Sequence, residues 1–259
     1  MLRITWLGHS TVLIELDGVR LLTDPVLRRR VGHLRRTTRG PDSQGLRPVD
    51  ATLISHLHYD HLDTRSLVSL GRAGRIVVPS VGVALLRRRG FRDVTGVDVG
   101  DETRFGPVTV RATYAEHDGR RTPFGGKADA VGYVVAGSAC VYFAGDTDLF
   151  SGMTALSDDL DVALVPVAGW GPRLPAGHLD PERAAQALAL LRPRVAIPIH
   201  WGTYRRIGLS SDPAALRAPA EQFAELAQEL VPQVDVRVLP VGGSTDIAVA
   251  AAVVHAGSG

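Results

Sequence analysis

The sequence predicts an α+β fold across residues 1–259, read as one domain. Three observations carry that prediction. A chain of 259 residues with 45% hydrophobic and 22% charged residues can build a sizeable core without covalent staples. Short apolar runs of strand length, such as 51–54, 161–167 and 195–199, are bounded by Gly, Pro, Asp and His. Strands pass into an amphipathic helix in both halves, the order expected of a duplicated αββα sandwich, although no short repeat is visible.

Residues 2–7 and 11–16 read as strands around Gly8-His9-Ser10. Asp17-Gly18 is a hairpin signal, and Val19 to Thr23 is the return strand, ended by Asp24-Pro25. From Leu27 to Pro48 periodicity fades and charge rises, with Arg28, Arg29, Arg30, Arg35, Arg36 and Arg39 in one loop. A loop of this length in a compact domain is usually functional or mobile. It is either a solvated basic loop or a funnel for an anionic, phosphate-bearing substrate, with Arg28 and Arg35 as contacts. No aromatic residue interleaves, so base stacking is not suggested.

After the strand at 51–54, a helix is expected at about 63–70, with Asp63 or Thr64 as N-cap. A strand at 75–78 follows, then a helix closed by Arg87-Arg88-Arg89-Gly90. Strands at 93–97, 102–105 and 107–115 come next, the last delivering His117 at its end. A hairpin of 131–135 and 139–144 ends in Gly145-Asp146. Beyond the strand at 161–167, Trp170 and Arg173 are candidates for the pocket mouth. Asp180-Pro181 and Asp212-Pro213 each open a helix, the second reaching about 230. His200 ends the strand at 195–199, and strands near 234–239 and 245–254 finish the chain.

Composition narrows the function classes. The single cysteine, Cys140, excludes an intrachain disulfide and a cysteine-rich zinc site, and reads as a small buried hydrophobe. The N-terminus lacks the apolar core of a signal peptide, and no run approaches the ~18 apolar residues of a membrane span. A cytoplasmic protein is expected. Net charge is +2, so bulk electrostatics give no reason to expect nucleic acid. A homo-oligomer stays open.

The chemistry concentrates in LISHLHYDHLD, residues 53–63, where His56, His58, Asp60 and His61 fall within six positions on a strand-to-helix loop. Alternate side chains of an extended segment share a face, so His56 and His58 can bind one ion together. Asp60 and His61 fall where the chain turns and can face a second ion. His117 at a strand end is a candidate third ligand. Asp24 is either a solvated turn residue or an acceptor orienting a ligand histidine; His9 lines the site or caps a turn.

H-x-H-x-D-H after an apolar strand resembles the signature of the metallo-β-lactamase-fold hydrolases. WLGHSTVLIEL and LLTDPVL resemble the branch holding N-acylphosphatidylethanolamine phospholipase D and the ascorbate-6-phosphate lactonases. Matching segments run from residue 4 to about residue 203. The resemblance implies a four-layer αββα sandwich of two mixed β-sheets. It implies two divalent metal ions, zinc foremost with manganese or iron as alternatives. His56, His58 and His117 would hold the first, Asp60, His61 and His200 the second, and Asp146 would bridge them. Asp24 and His9 would stand behind the ligands. HLDPE is similar to the phospholipase D branch, which places His178 near the reacting centre as a proton donor, with Asp60 relaying the other proton. The implied function is a metal-dependent hydrolase using a metal-bridging hydroxide, a phosphodiesterase acting on a small anionic substrate. A lactonase on a small lactone, with or without a phosphate, is the alternative. A non-catalytic metal- or nucleic-acid-binding protein is the reading of another class.

Overall fold

The computed structural model describes residues 1–46, 48–121, 128–156, 159–169, 174–208 and 212–248. The first of two seven-stranded sheets runs in the order Ser244–Ile247, Leu2–Gly8, Thr11–Leu16, Val19–Thr23, Ala51–Leu53, Arg75–Pro79, Val94–Val97. Its first three pairings are antiparallel and its last three parallel. The second runs Glu102–Phe105, Val108–Asp118, Asp129–Ala136, Cys140–Phe143, Val162–Pro166, Val195–Ile199, Asp235–Val236. It too has three antiparallel pairings followed by three parallel ones. The duplication expected from element order is therefore present in topology. One edge strand is exchanged: the chain's last described strand pairs with its first.

The parallel strands Val162–Pro166 and Val195–Ile199 are buried at every position, which is why they read as unbroken apolar runs. Trp6, Ile14, Val108, Tyr133 and Phe143, from both sheets, share one core cluster. Helices α1 (Thr64–Leu70) and α2 (Val83–Arg88) cover the first sheet through Leu67 and Leu86, which pack with Ile76, Val78 and Phe91. Helices α3 (Pro181–Leu191) and α4 (Pro213–Leu230) cover the second through Leu188, Phe223 and Ala227. The layers are thus helix, sheet, sheet, helix. The capping residues act as their types predict: Asp63 accepts from Ser66 N, Asp180 from Arg183 N and Asp212 from Ala214 N.

Four local expectations change. The arginine loop contains a small ribbon: Arg30–Val31 and Leu34–Arg36 pair with each other, and Tyr204–Arg206 adds a third strand. Val26, Val31, Leu34 and Tyr204 form its own small core. The pairing partner lies 168 residues away and each strand is very short, so no periodicity shows in the sequence. Arg36 is buried within it, donating to the carbonyls of Val26 and Leu7. The strand expected at 107–115 runs on to Asp118 with a register shift after Tyr114, so His117 sits inside the strand. Cys140 is half-buried. The strand expected at 245–254 is Ser244–Ile247; positions 249–259 lie outside the described residues. Among the described residues no helix is long and apolar enough to cross a membrane.

Candidate metal centre

The parallel strands of both sheets end at one edge, and the chain there carries the polar residues. After Ala51–Leu53 the loop is held to both sheets, by Ile54 N donating to Val77 O and Val131 N donating to Ser55 O, each at 2.9 Å. His56 and His58 follow in extended chain, and their facing nitrogens, Nε2 and Nδ1, are 3.0 Å apart. His117 Nε2 comes to 3.2 Å from the same His58 nitrogen. The backbone then turns, with His61 N and Leu62 N both donating to His58 O. That turn carries Asp60 and His61 to the far side. There Asp60, His61 and His200 gather with His9, their ligating atoms all within 4.8 Å of one another.

Asp146 lies between the two groups. Its Oδ2 is 3.1 Å from His61 Nε2, 3.4 Å from His178 Nε2 and 3.9 Å from His56 Nε2; its Oδ1 is 3.3 Å from His200 Nε2. Gly145 makes the approach feasible. It has φ +63°, and a Cβ there would stand 2.6 Å from Ser55 Cβ.

Four of the imidazoles are aimed from behind. His61 Nδ1 donates to Asp24 Oδ2 at 2.7 Å, His117 Nδ1 to Gly177 O at 2.8 Å, and His200 Nδ1 to Ala168 O at 2.6 Å. His56 Nδ1 donates to Ser55 Oγ at 2.9 Å, whose own hydroxyl donates to Asp24 Oδ2 at 2.6 Å. A proton fixed on Nδ1 leaves the Nε2 lone pair pointing inward. Asp24 is fully buried and thus serves His61 directly and His56 through Ser55.

The side chains are grouped as metal ligands would be. His61 Nε2, His200 Nε2 and Asp146 Oδ1 are buried without a well-formed hydrogen bond, although the two nitrogens stand 3.1 and 3.3 Å from Asp146 oxygens, and all three converge on the second position. Such orphans are costly in a folded protein unless something unseen satisfies them. Two ligands at about 2.0–2.1 Å from a tetrahedral ion lie roughly 3.3 Å apart, close to the spacing within the His56, His58 and His117 group. Protonation agrees with ligation. Burial pushes His56 well below its ordinary value, lowers His58, and takes His117 to about 4 and His200 to about 3, so all four are neutral near pH 7. Burial alone would raise the carboxyls of Asp60 and Asp146. The His9 hydrogen bond and His61 hold the first well below the usual range, and His200 and His61 hold the second there. His61 is the exception: burial opposes its charge, yet Asp146 and Asp24 hold it well above its ordinary value.

His9 stands closer to the site than sequence spacing could decide. It is buried, its Nε2 lies 3.1 Å from Asp60 Oδ2, and its ring sits 4.0 Å from that of His200. Its backbone is pinned at φ +55° by three contacts: its N donates to Thr203 Oγ1, and its carbonyl accepts from His200 N and Trp6 Nε1. His178 Nε2 reaches Asp146, and that carboxylate raises its pKa against the effect of burial. The arginines are not gathered in. Arg28 is committed to Asp63 through two 2.7 Å hydrogen bonds, and Arg35 is on the exposed face of the ribbon. Neither lines the cavities beside the cluster. Trp170 and Arg173 lie outside the described residues. Sequence reading missed Ser55, whose role needs Asp24 and His56 in contact, and Tyr59, which reads as a spacer between His58 and Asp60.

Two cavities meet over the cluster, sharing His58, Asp60 and Asp118. One, of about 430 Å³, runs under the ribbon between Val31, Leu34 and Tyr59. The other, of about 460 Å³, runs past Leu174, Pro175 and Ala176 to His178 and His200.

Comparison with known proteins agrees with this geometry. Residues 19–201 match the family described as Beta-lactamase superfamily domain. A UPF0173 metal-dependent hydrolase of Deinococcus radiodurans is 34% identical over 251 residues, covering 95% of this chain and all of the relative. Among solved structures, the metallo hydrolase Igni18 of Ignicoccus hospitalis superposes with a TM-score of 0.73 at 24% identity, covering 95% of this chain and 99% of that one. An isothiocyanate hydrolase from Delia radicum gut bacteria gives 0.73 at 18% identity, with the same coverage. At those identities the structures speak for the fold alone. With the fold, the histidine and aspartate cluster and these relatives in agreement, the chain belongs to the metallo-β-lactamase superfamily and, within it, to the UPF0173 metal-dependent hydrolases.

Proposed function

We propose that this protein is a two-ion phosphodiesterase whose scissile bond lies across the cleft formed by the two cavities. The observation that carries the two-ion reading is the convergence of buried His61 Nε2, His200 Nε2 and Asp146 Oδ1, none with a well-formed hydrogen bond, beside the His56, His58 and His117 group. His56, His58 and His117 would hold one ion, and Asp60, His61 and His200 the other, with Asp146 between. Imidazole-rich sites suit zinc, and the carboxylates of Asp60 and Asp146 also admit manganese or iron. A cation pair bound there supplies Lewis acidity and a water made acidic enough to attack near neutral pH.

The chain's own residues would do the rest. Asp60, held by His9, accepts the proton of the attacking water. His178 carries a proton on Nε2, because Asp146 favours its charged form, and can pass it to the leaving oxygen. The two-armed cleft gives each substituent of a diester its own wall. That arrangement, rather than the arginine loop, supports a diester over a compact lactone. The lactone remains the second reading, because the same groups would open an acyl centre.

The test is turnover of bis(p-nitrophenyl) phosphate against that of a simple γ-lactone, each with added zinc or manganese. Metal-dependent hydrolysis of the diester is expected. Lactone opening with no diester cleavage would move the assignment to a lactonase. Silence on both with metal bound would favour a sensor.

A further inference from the structure

The cavity under the ribbon is absorbed neither by the ligand cluster nor by the proton groups. It opens directly onto the cluster through His58 and Asp60, so whatever fills it is joined to the reacting centre. One wall is the buried apolar pair Val31 and Leu34, held in place by the packing of Val26 and Tyr204 beneath them. Tyr59 lines the same cavity, 53% exposed although it stands between two candidate ligands in sequence. Its ring is not loose. The Arg121 guanidinium carbon lies 4.2 Å from the ring centroid, and Arg121 Nη1 is anchored on the carbonyls of Leu57 and Leu62 at 2.8 and 3.1 Å. The two cations of the cavity are accounted for: Arg121 by the ring and those carbonyls, Arg120 by Asp118. An aromatic ring propped by Arg121 in one cavity with an aliphatic pair, its two arginines already paired, is poor at holding an anion. It is suited to a flat apolar group.

We propose that this cavity is a binding subsite for a planar aromatic substituent of the substrate, with Tyr59 as its specificity residue. The proposal rests on the hydrolase reading for the position of the scissile group but not on which bond is cleaved. An aryl ester and a nucleotide each carry a flat aromatic ring, so both satisfy it. It also revises the expectation that base stacking has no platform here, since only the fold brings Tyr59 into one cavity with the ribbon.

The test uses zinc-loaded full-length protein and two probes, phenylphosphonate and methylphosphonate, titrated calorimetrically. Their phosphonate heads are the same, so their affinity ratio isolates the ring. Phenylphosphonate is expected to bind about tenfold tighter, the scale of one aromatic stacking contact. In Tyr59→Ala the ratio should fall to near one with methylphosphonate affinity and zinc content unchanged. Tyr59→Phe, which keeps the ring, should restore it. Equal binding of the two probes, no binding of either, or a ratio indifferent to Tyr59→Ala overturns the subsite. Should Tyr59→Ala lose zinc, Arg121→Leu, which removes the prop behind the ring, must lower the ratio with zinc retained, or the proposal fails. Thymidine 5′-monophosphate against phenyl phosphate then separates the sources: the tighter of the two assigns the arm to a nucleobase or to a simple aryl group. A Tyr59-dependent ratio in a protein that leaves bis(p-nitrophenyl) phosphate intact would keep the subsite and remove the phosphodiesterase.

Discussion

Asp24 offers the sharpest perturbation, because one buried carboxylate stands behind both proposed ions. Its oxygens accept from Ser55 N at 2.8 Å, Ser55 Oγ at 2.6 Å and His61 Nδ1 at 2.7 Å. Asp24→Asn keeps the volume but removes the charge and turns two donors toward a site that needs acceptors. His61 then loses the partner that fixes its proton on Nδ1, and Ser55 loses the acceptor through which it aims His56. Removing such a supporting group typically costs about 10–100-fold in metal affinity, or roughly 1.4–2.7 kcal/mol. The loss should be greater for the ion beside His61, which is contacted directly, than for the ion beside His56. Ser55→Ala should weaken mainly the His56 ion, since it leaves the His61 contact with Asp24 in place. The assay is zinc titration against a chromophoric chelator, with circular dichroism and urea unfolding as controls on the fold. A folded Asp24→Asn protein binding both ions as tightly as the parent would refute the reasoning that these histidines are held by Asp24.

Other expectations follow from the same geometry. His178→Asn should lower kcat roughly 100-fold or more while zinc content is retained, since its Nε2 contacts Asp146 from outside the proposed ligand sets; unchanged turnover would remove the proton-donor role. Zinc affinity should fall as pH falls, because His61 has a raised pKa and must give up its proton to ligate, whereas His117 near 4 and His200 near 3 are already neutral. About one proton released from His61 per protein, read in weakly buffered dye solution at a pH below its raised pKa, is expected. Arg28→Ala should destabilise the fold by about 1 kcal/mol at pH 7, a modest figure because the arginine is one-third exposed. The Asp63 carboxyl is lowered from 3.8 against the effect of burial, by Arg28 and Ser66. Its contribution is therefore complete above pH 3.8 and is lost as pH falls through the lower folded value. The gap between parent and Arg28→Ala in urea unfolding should accordingly close in that acid range, and a gap constant with pH would contradict the ion pair.

The chain by itself determined what depends on neighbours in sequence. The apolar runs at 161–167 and 195–199 declared buried strands because both of their faces are covered. Asp180-Pro181 announced α3, because an N-cap acts on a backbone N–H only three residues away. The spacing of His56, His58, Asp60 and His61 announced a metal loop, because extended chain followed by a turn sorts those side chains onto two sides. What it could not decide were the contacts made across long separations. The ribbon pairs Leu34–Arg36 with Tyr204–Arg206 and turns Arg36 into a buried strut. Asp63 takes up Arg28, and the ribbon leaves Arg35 facing outward. His9 meets Asp60 across 51 residues, and Tyr59 comes to line one cavity with the ribbon. A side chain's type and its local spacing set what it can bind; which partner neutralises it, and which space it faces, is set by the packing of distant segments.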